Sequence, residues 1–173
     1  MDDVGTGCYK FLSTCPDVTS LLGSFDPADP ITANAGMPWL FTDTSTGVLT
    51  RMEGTSQCAI VCSDFGGWSV PGPGSTASFR RLRVDMWVDP LRDGTNNVME
   101  SSSETTNRGL ALWAAVRFRL QRVEPILQTW GDLVTNACTV LTEPQFEAIP
   151  DGDYLQRGTA YFGVTNVGWT DYP

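Results

Sequence analysis

FRRLRVDMWV (79–88), DPLRDGTNNVMESSSETTNRG (89–109) and LALWAAVRFRLQRV (110–123) follow one another, and their reading decides the fold. The first block alternates. Arg80, Leu82, Val84, Met86 and Val88 fall on one face, and Phe79, Arg81, Arg83, Asp85 and Trp87 on the other. A period of two marks a strand with one mainly apolar and one mixed face. In the third block Leu112, Val116, Leu120 and Val123 recur at helical spacing beside Trp113, so a helix buries that stripe. Arg117, Arg119 and Arg122 crowd its last turns, where cations suit the negative end of the helix dipole. Glu124-Pro125 closes it, because a residue before proline avoids helical dihedrals. Between strand and helix, Asp89–Arg108 holds only Leu91, Val98 and Met99 as large apolar residues and reads as a long polar loop, functional or disordered.

Outward from this unit, residues 2–22 read as helix, with Val4, Cys8, Phe11, Leu12 and Cys15 on one side. Pro16 interrupts it, and Asp17–Leu22 forms a further turn. Residues 24–38 hold three prolines and read as an irregular connection. Trp39-Leu40-Phe41 is a short apolar patch suited to a sheet edge, and Thr42–Gly54 is turn-rich. Gln57–Asp64 is nearly continuous in apolar character and reads as a buried strand. Phe65–Ser78, with four glycines and two prolines, reads as a flexible connection that makes an antiparallel hairpin with Phe79–Val88. Residues 126–141 stay open between helix and strand, Ala137–Leu141 favouring strand. Pro150-Asp151-Gly152 marks a turn, Thr159–Val167 a strand, and the tail 168–173 is expected to be exposed or docked on a neighbour. The expected fold class is α+β: a mostly antiparallel sheet of about four strands packed by two or three helices. One domain, 1–173, carries the polar loop insertion 89–108.

The 173 residues are 41% hydrophobic and 18% charged, which suits a globular chain. No run approaches the roughly eighteen apolar residues of a membrane span, and the acidic start MDDVGTGCYKF lacks the plan of a signal peptide. A soluble protein made in a cytoplasm is expected. The net charge is −9, unevenly spread. Residues 80–122 hold eight bases and five acids, a net +3; the remainder holds three bases and fifteen acids, a net −12. Ten of the eleven bases are arginine, the cation suited to bidentate and interface pairing. Acid elsewhere opposes nucleic-acid binding through backbone phosphates, so pairing with acidic surfaces of the same chain or a neighbouring subunit is the better reading. Arg81 and Arg83 share a strand face with Trp87. With Arg92 from the same basic window, they are the candidate subunit-interface residues.

Five cysteines (Cys8, Cys15, Cys58, Cys62, Cys138) include no CxxC pair, and with no histidine in the chain they read as buried free thiols. The missing histidine also removes the histidine-dependent triads and the usual base near neutral pH. Ser69 in GWSVP lacks the second glycine of a nucleophile elbow, and Pro71–Ser75 lacks the GK[ST] ending of a phosphate loop. Asp43-Thr44-Ser45 reads as a solvated turn, and Asp151 and Asp153 lack EF-hand spacing. No enzyme activity and no cofactor or metal are expected. The six tryptophans could form a sugar-stacking platform, but core or subunit packing is the blander account.

The order of these parts resembles one family. An N-terminal helix with a DV start and an LLG end leads to a buried strand. A Gly-rich hairpin turn precedes RRLRVDMWV, the helix NRGLALWAAVRFRLQ follows, and PDGDYLQRGTAYFGVTNV supplies a late strand. This resembles the tail terminator proteins of long-tailed bacteriophages, particularly those of actinobacterial phages. The likeness covers most of the chain through element order rather than a catalytic signature. It implies small α/β domains that assemble into six-membered rings in the virion, at the head-proximal end of the tail. The ring would cap the tail tube protein, stop its polymerisation, meet the head-completion proteins and let DNA pass unread, without contact with a membrane. An acidic lumen would suit that passage, since like charge prevents sticking. A head–tail connector or stopper protein has similar size and composition. A carbohydrate- or ligand-binding module is the reading from a different class. The segment 89–108 departs from compact members of the family, and it is expected to order on docking.

Overall fold

The computed structural model describes residues 2–22, 40–41, 57–69, 78–122 and 125–170. Its elements are α1 (Val4–Leu12), α2 (Pro16–Thr19), β1 (Leu40–Phe41), β2 (Cys58–Ser69) and β3 (Ser78–Val88). They continue with α3 (Ser102–Leu120), β4 (Gln128–Trp130), β5 (Leu133–Thr142), β6 (Glu147–Ala148) and β7 (Gln156–Trp169). The fold is α+β. Among the described residues one seven-stranded sheet runs β1-β2-β3-β7-β5-β4, with β6 on β7. Every pairing is antiparallel except β1 with β2. The sheet is wider than the four strands expected because strands of two or three residues carry no readable period.

The alternation in β3 is the one the sequence shows. Leu82, Val84, Met86 and Val88 enter the main core with Leu112, Trp113, Val116 and Leu120 of α3. Burial of this inner sheet face under α1 and α3 drives the fold. α1 is capped by the Asp3 carboxylate, which accepts from the Thr6 N–H at 2.7 Å. Gly5 allows the close approach of α1 to β2, since a Cβ there would lie 2.8 Å from the Asp64 nitrogen. Phe11 stacks on Trp130 with centroids 5.8 Å apart, and Arg119 of α3 donates to both Asp17 oxygens at 2.9 Å, joining α2 to α3.

Several boundaries differ from the sequence reading. The segment 89–108 is not one loop, because α3 begins at Ser102. Ser101 caps it and Glu104 returns the bond to the Ser101 N–H at 2.7 Å, a capping box inside what looked like a polar Ser/Thr run. Residues 89–100 carry bonds of their own. Arg92 bridges Val98, and Met99 N–H donates to Leu91 O at 2.8 Å. Asp93 accepts from the Asn97 and Thr95 N–H groups at the tip, which hold its carboxyl down at about 2. Phe65–Ser69 is not loop either. β2 continues through it after an irregularity between Asp64 and Gly67. The undecided stretch 126–141 is a hairpin of β4 and β5 turning at Gly131, whose φ of +64° suits glycine. α3 ends at Leu120, before the expected Val123, because Gln121 is already extended and Arg122 pairs with Cys138. The start of the tail docks on its own chain: Trp169 Nε1 donates to Asp2 O at 2.9 Å.

The expected connection 24–38, Trp39, the turn-rich Thr42–Gly54, Pro71–Ser75, Val123-Glu124 and residues 171–173 lie outside the described residues. Among the described residues no helix is long and apolar enough to cross a membrane.

Candidate interaction surfaces

The outer face of the sheet, away from α1 and α3, has two halves. Toward the C-terminal end of β3 it is covered: Trp87, Ala59 and Val61 form a second buried cluster under Leu155 and Ile149, and Arg157 lies over the Trp87 ring at 5.3 Å. Asp85 is fully buried here. Thr159 Oγ1 donates to its Oδ1 at 2.6 Å, while Arg83 Nε approaches Oδ2 at 2.8 Å, too bent for a hydrogen bond. Beside it a groove of about 540 Å³ is lined by Thr142, Glu143, Glu147 and Arg157 among others.

The other half of this face is open. Phe65 on β2 reaches across β3 to Tyr161 on β7, ring centroids 5.2 Å apart. Phe65 and Leu141 are each about half exposed. Phe79 lies over Gly163, where a Cβ would meet its ring at 2.6 Å, so glycine there lets the aromatic lie flat on β7. In the register between these rows stand Arg81, opposite Gly163, and Arg83, opposite Tyr161. Arg81 is exposed and makes no ion pair among the described residues.

The four residues expected at a subunit interface therefore separate. Arg81 and part of Arg83 reach the open patch. Trp87 does not, being sealed under Leu155. Arg92 does not either: its side chain is 3% exposed and serves as an internal staple. It donates to Asp89 Oδ1 at 3.2 Å, to Asp153 Oδ2 at 3.0 Å and to the Asp153 carbonyl at 2.6 Å. This ties the 89–98 turn to the 150–154 turn, where Asp151, Asp153 and Tyr154 hold positive φ. Most of the basic window is likewise spent within the chain, with Arg80 on Asp64, Arg108 on Glu100, Arg117 on Glu143 and Arg119 on Asp17.

The sequence reading missed a second surface. On α3, Leu110, Ala111, Ala114 and Phe118 are exposed, directly opposite the buried Leu112, Val116 and Leu120. Phe118 is 76% exposed, with a groove of about 530 Å³ beside it. The signal was present in LALWAAVRF, which is apolar on more sides than one core requires. Phe65, Tyr161 and Leu141 carried no such signal, because their meeting depends on the strand order β2-β3-β7-β5.

The remaining candidates are spent. All five cysteines are buried free thiols. Burial pushes the Cys138 thiol up to about 12 and Cys8 well above its ordinary value, so neither is a ready nucleophile. Trp87, Trp113 and Trp130 are buried and Trp169 is partly buried, so these four present no flat sugar platform. Asp153 is engaged by Arg92 rather than poised for calcium.

With these surfaces in place, the chain was compared with known proteins. No family model matches it, and no curated protein does. Among the solved structures, a chain from the virion of a native gene transfer agent particle is similar. It shares 11% identity at a TM-score of 0.45, over 75% of this chain and 79% of that one.

Proposed function

We propose that this chain is a structural virion protein of a long-tailed bacteriophage. In this reading it forms a ring at the head-proximal end of the tail tube, ends tube polymerisation, joins tail to head and lets DNA pass. It performs no catalysis and needs no cofactor. One observation carries the proposal: apolar side chains lie exposed on opposite sides of a single subunit, Phe65 and Leu141 beside the part-buried Tyr161 on the sheet, and Leu110, Ala114 and Phe118 on the helix. Exposed apolar patches rimmed by polar groups mark association sites, and two distinct patches per subunit are what a closed ring uses. The resemblance in element order to tail terminator proteins supplies the place in the virion. The net charge of −9 suits a ring whose lumen repels DNA rather than gripping it.

The test is assembly. Purified protein, followed by light scattering and negative-stain imaging, should form closed rings with a central opening. Added to its polymerising tube protein, it should arrest growth at one end. A monomer at every concentration, leaving tube length unchanged, overturns the reading.

A further inference from the structure

Two elements each bring a thiol into the main core. On α1, Val4, Cys8 and Leu12 form the buried stripe at one-turn spacing, and Cys8 is fully buried. On β2 the inward residues are Cys58, Ile60 and Cys62, and Cys62 is fully buried too. We propose that Cys8 and Cys62 are a redox pair, which a small-molecule disulfide oxidises to an internal disulfide tying α1 to β2.

Close backbone approach gives the first reason. A disulfide needs α-carbons about 4.4–6.8 Å apart, so bulky side chains between two elements forbid it. Glycine removes that barrier here. A Cβ on Gly5 would lie 3.0 Å from the Ser63 Cα; Gly5 precedes Cys8 by one turn, and Ser63 directly follows Cys62. The backbones of α1 and β2 therefore meet beside the two thiols. Gly7 seats α1 on its other side, where a Cβ would lie 2.9 Å from the Trp130 carbonyl oxygen.

Contacts of the thiols select the pairing. Cys8 and Cys62 hydrogen-bond to each other; burial first, and then that bond, push the Cys8 thiol well above its ordinary value. Among the thiols, Cys62 acts on Cys8 more strongly than Cys138 or Cys15 does. Cys15 Sγ donates to the Phe11 carbonyl at 3.4 Å, and Cys58 Sγ accepts from Arg108 at 3.7 Å.

The oxidant is a disulfide such as oxidised glutathione. A brief opening of α1 lets the Cys8 thiolate attack one of its sulfurs, and one glutathione thiolate leaves. Cys62 then attacks the Cys8 sulfur of the mixed disulfide and expels the second glutathione thiolate. The protein loses two electrons, the oxidant gains them, and the protons of Cys8 and Cys62 end on the two glutathiones. Burial of both thiols makes the first step slow. Once closed, the link joins positions far apart in sequence, which restrains the unfolded chain.

Thiol counting tests this on the whole chain. Reduced native protein is held with oxidised glutathione, then unfolded, and its free thiols are titrated. The count should fall by two, from five to three. A digest should contain one linked peptide pair, Cys8 to Cys62. The melting temperature should rise by several degrees, and a dithiol reductant should reverse the rise. Cys8→Ala and Cys62→Ala should each keep every remaining thiol, while Cys15→Ala should still lose two. Five thiols after the incubation, a link to Cys15, Cys58 or Cys138, a glutathione left attached, or a lowered melting temperature each overturns the proposal. So does a Cys8 or Cys62 variant that still loses two thiols. The wild-type count and digest decide the matter where a variant fails to fold, and neither depends on whether the chain forms rings.

Discussion

Arg92 stands in the most basic part of the chain, yet its charge is consumed inside the fold. The guanidinium spans the fully buried Asp89 and the exposed Asp153, and so holds two turns that otherwise share no backbone pairing. Removing one partner of a buried pair strands the other, a penalty larger than the net worth of the pair. Arg92→Met should therefore lower the stability of the isolated chain by about 3–5 kcal/mol, read from its denaturation midpoint. An unchanged midpoint with lost assembly would return Arg92 to a subunit contact.

At the scale of elements, α3 is held from two directions. Its buried stripe lies on β3, and its N-terminal half is wedged by Phe146. A Cβ on Gly109 would meet the Phe146 ring at 2.6 Å, and a Cβ on Gly158 of β7 would meet the same ring at 2.9 Å. The ring has glycine on both sides and little room to retreat. Gly109→Ala would gain about 1 kcal/mol of helix propensity. Against that stands an overpacking cost of about 1–3 kcal/mol. We expect a net loss of about 0–2 kcal/mol by chemical denaturation, the difference between those two figures. A more stable variant would mean that the ring moves aside freely. The same helix explains why its start was misread. A capping box names its residues but not its setting, and Ser101–Glu104 sits within a run of serines and threonines that reads equally as loop.

Across the whole molecule the five thiols report on the integrity of the core. They come from α1, the segment before α2, β2 and β5, and all are buried. With Cys138 pushed up to about 12 by burial, its thiolate is scarce in the native state near pH 8. A disulfide reagent should find no fast-reacting thiol in the native protein and all five after unfolding. A thiol that reacts at once would show α1 lifting from the sheet as a local opening.

What the chain determined by itself was local. The period of two in Phe79–Val88 and the helical recurrence of Leu112, Val116 and Leu120 assign the inner sheet face and its helix correctly, because periodicity records which side of one element meets the core. The antiparallel β2–β3 pair was legible from its glycine-rich connection, and the buried free cysteines from the lack of a CxxC pair and of histidine. Tertiary structure alone decided how the outer face is divided. Trp87 and Arg83 lie four residues apart on one mixed strand face, yet Leu155 covers the first while Tyr161 stands beside the second. The use of each cation was decided the same way, by partners as distant as Asp17 for Arg119 and Asp153 for Arg92. Side-chain period is a property of a single strand or helix, whereas covering a face and neutralising a charge depend on which remote segments the chain brings back to it.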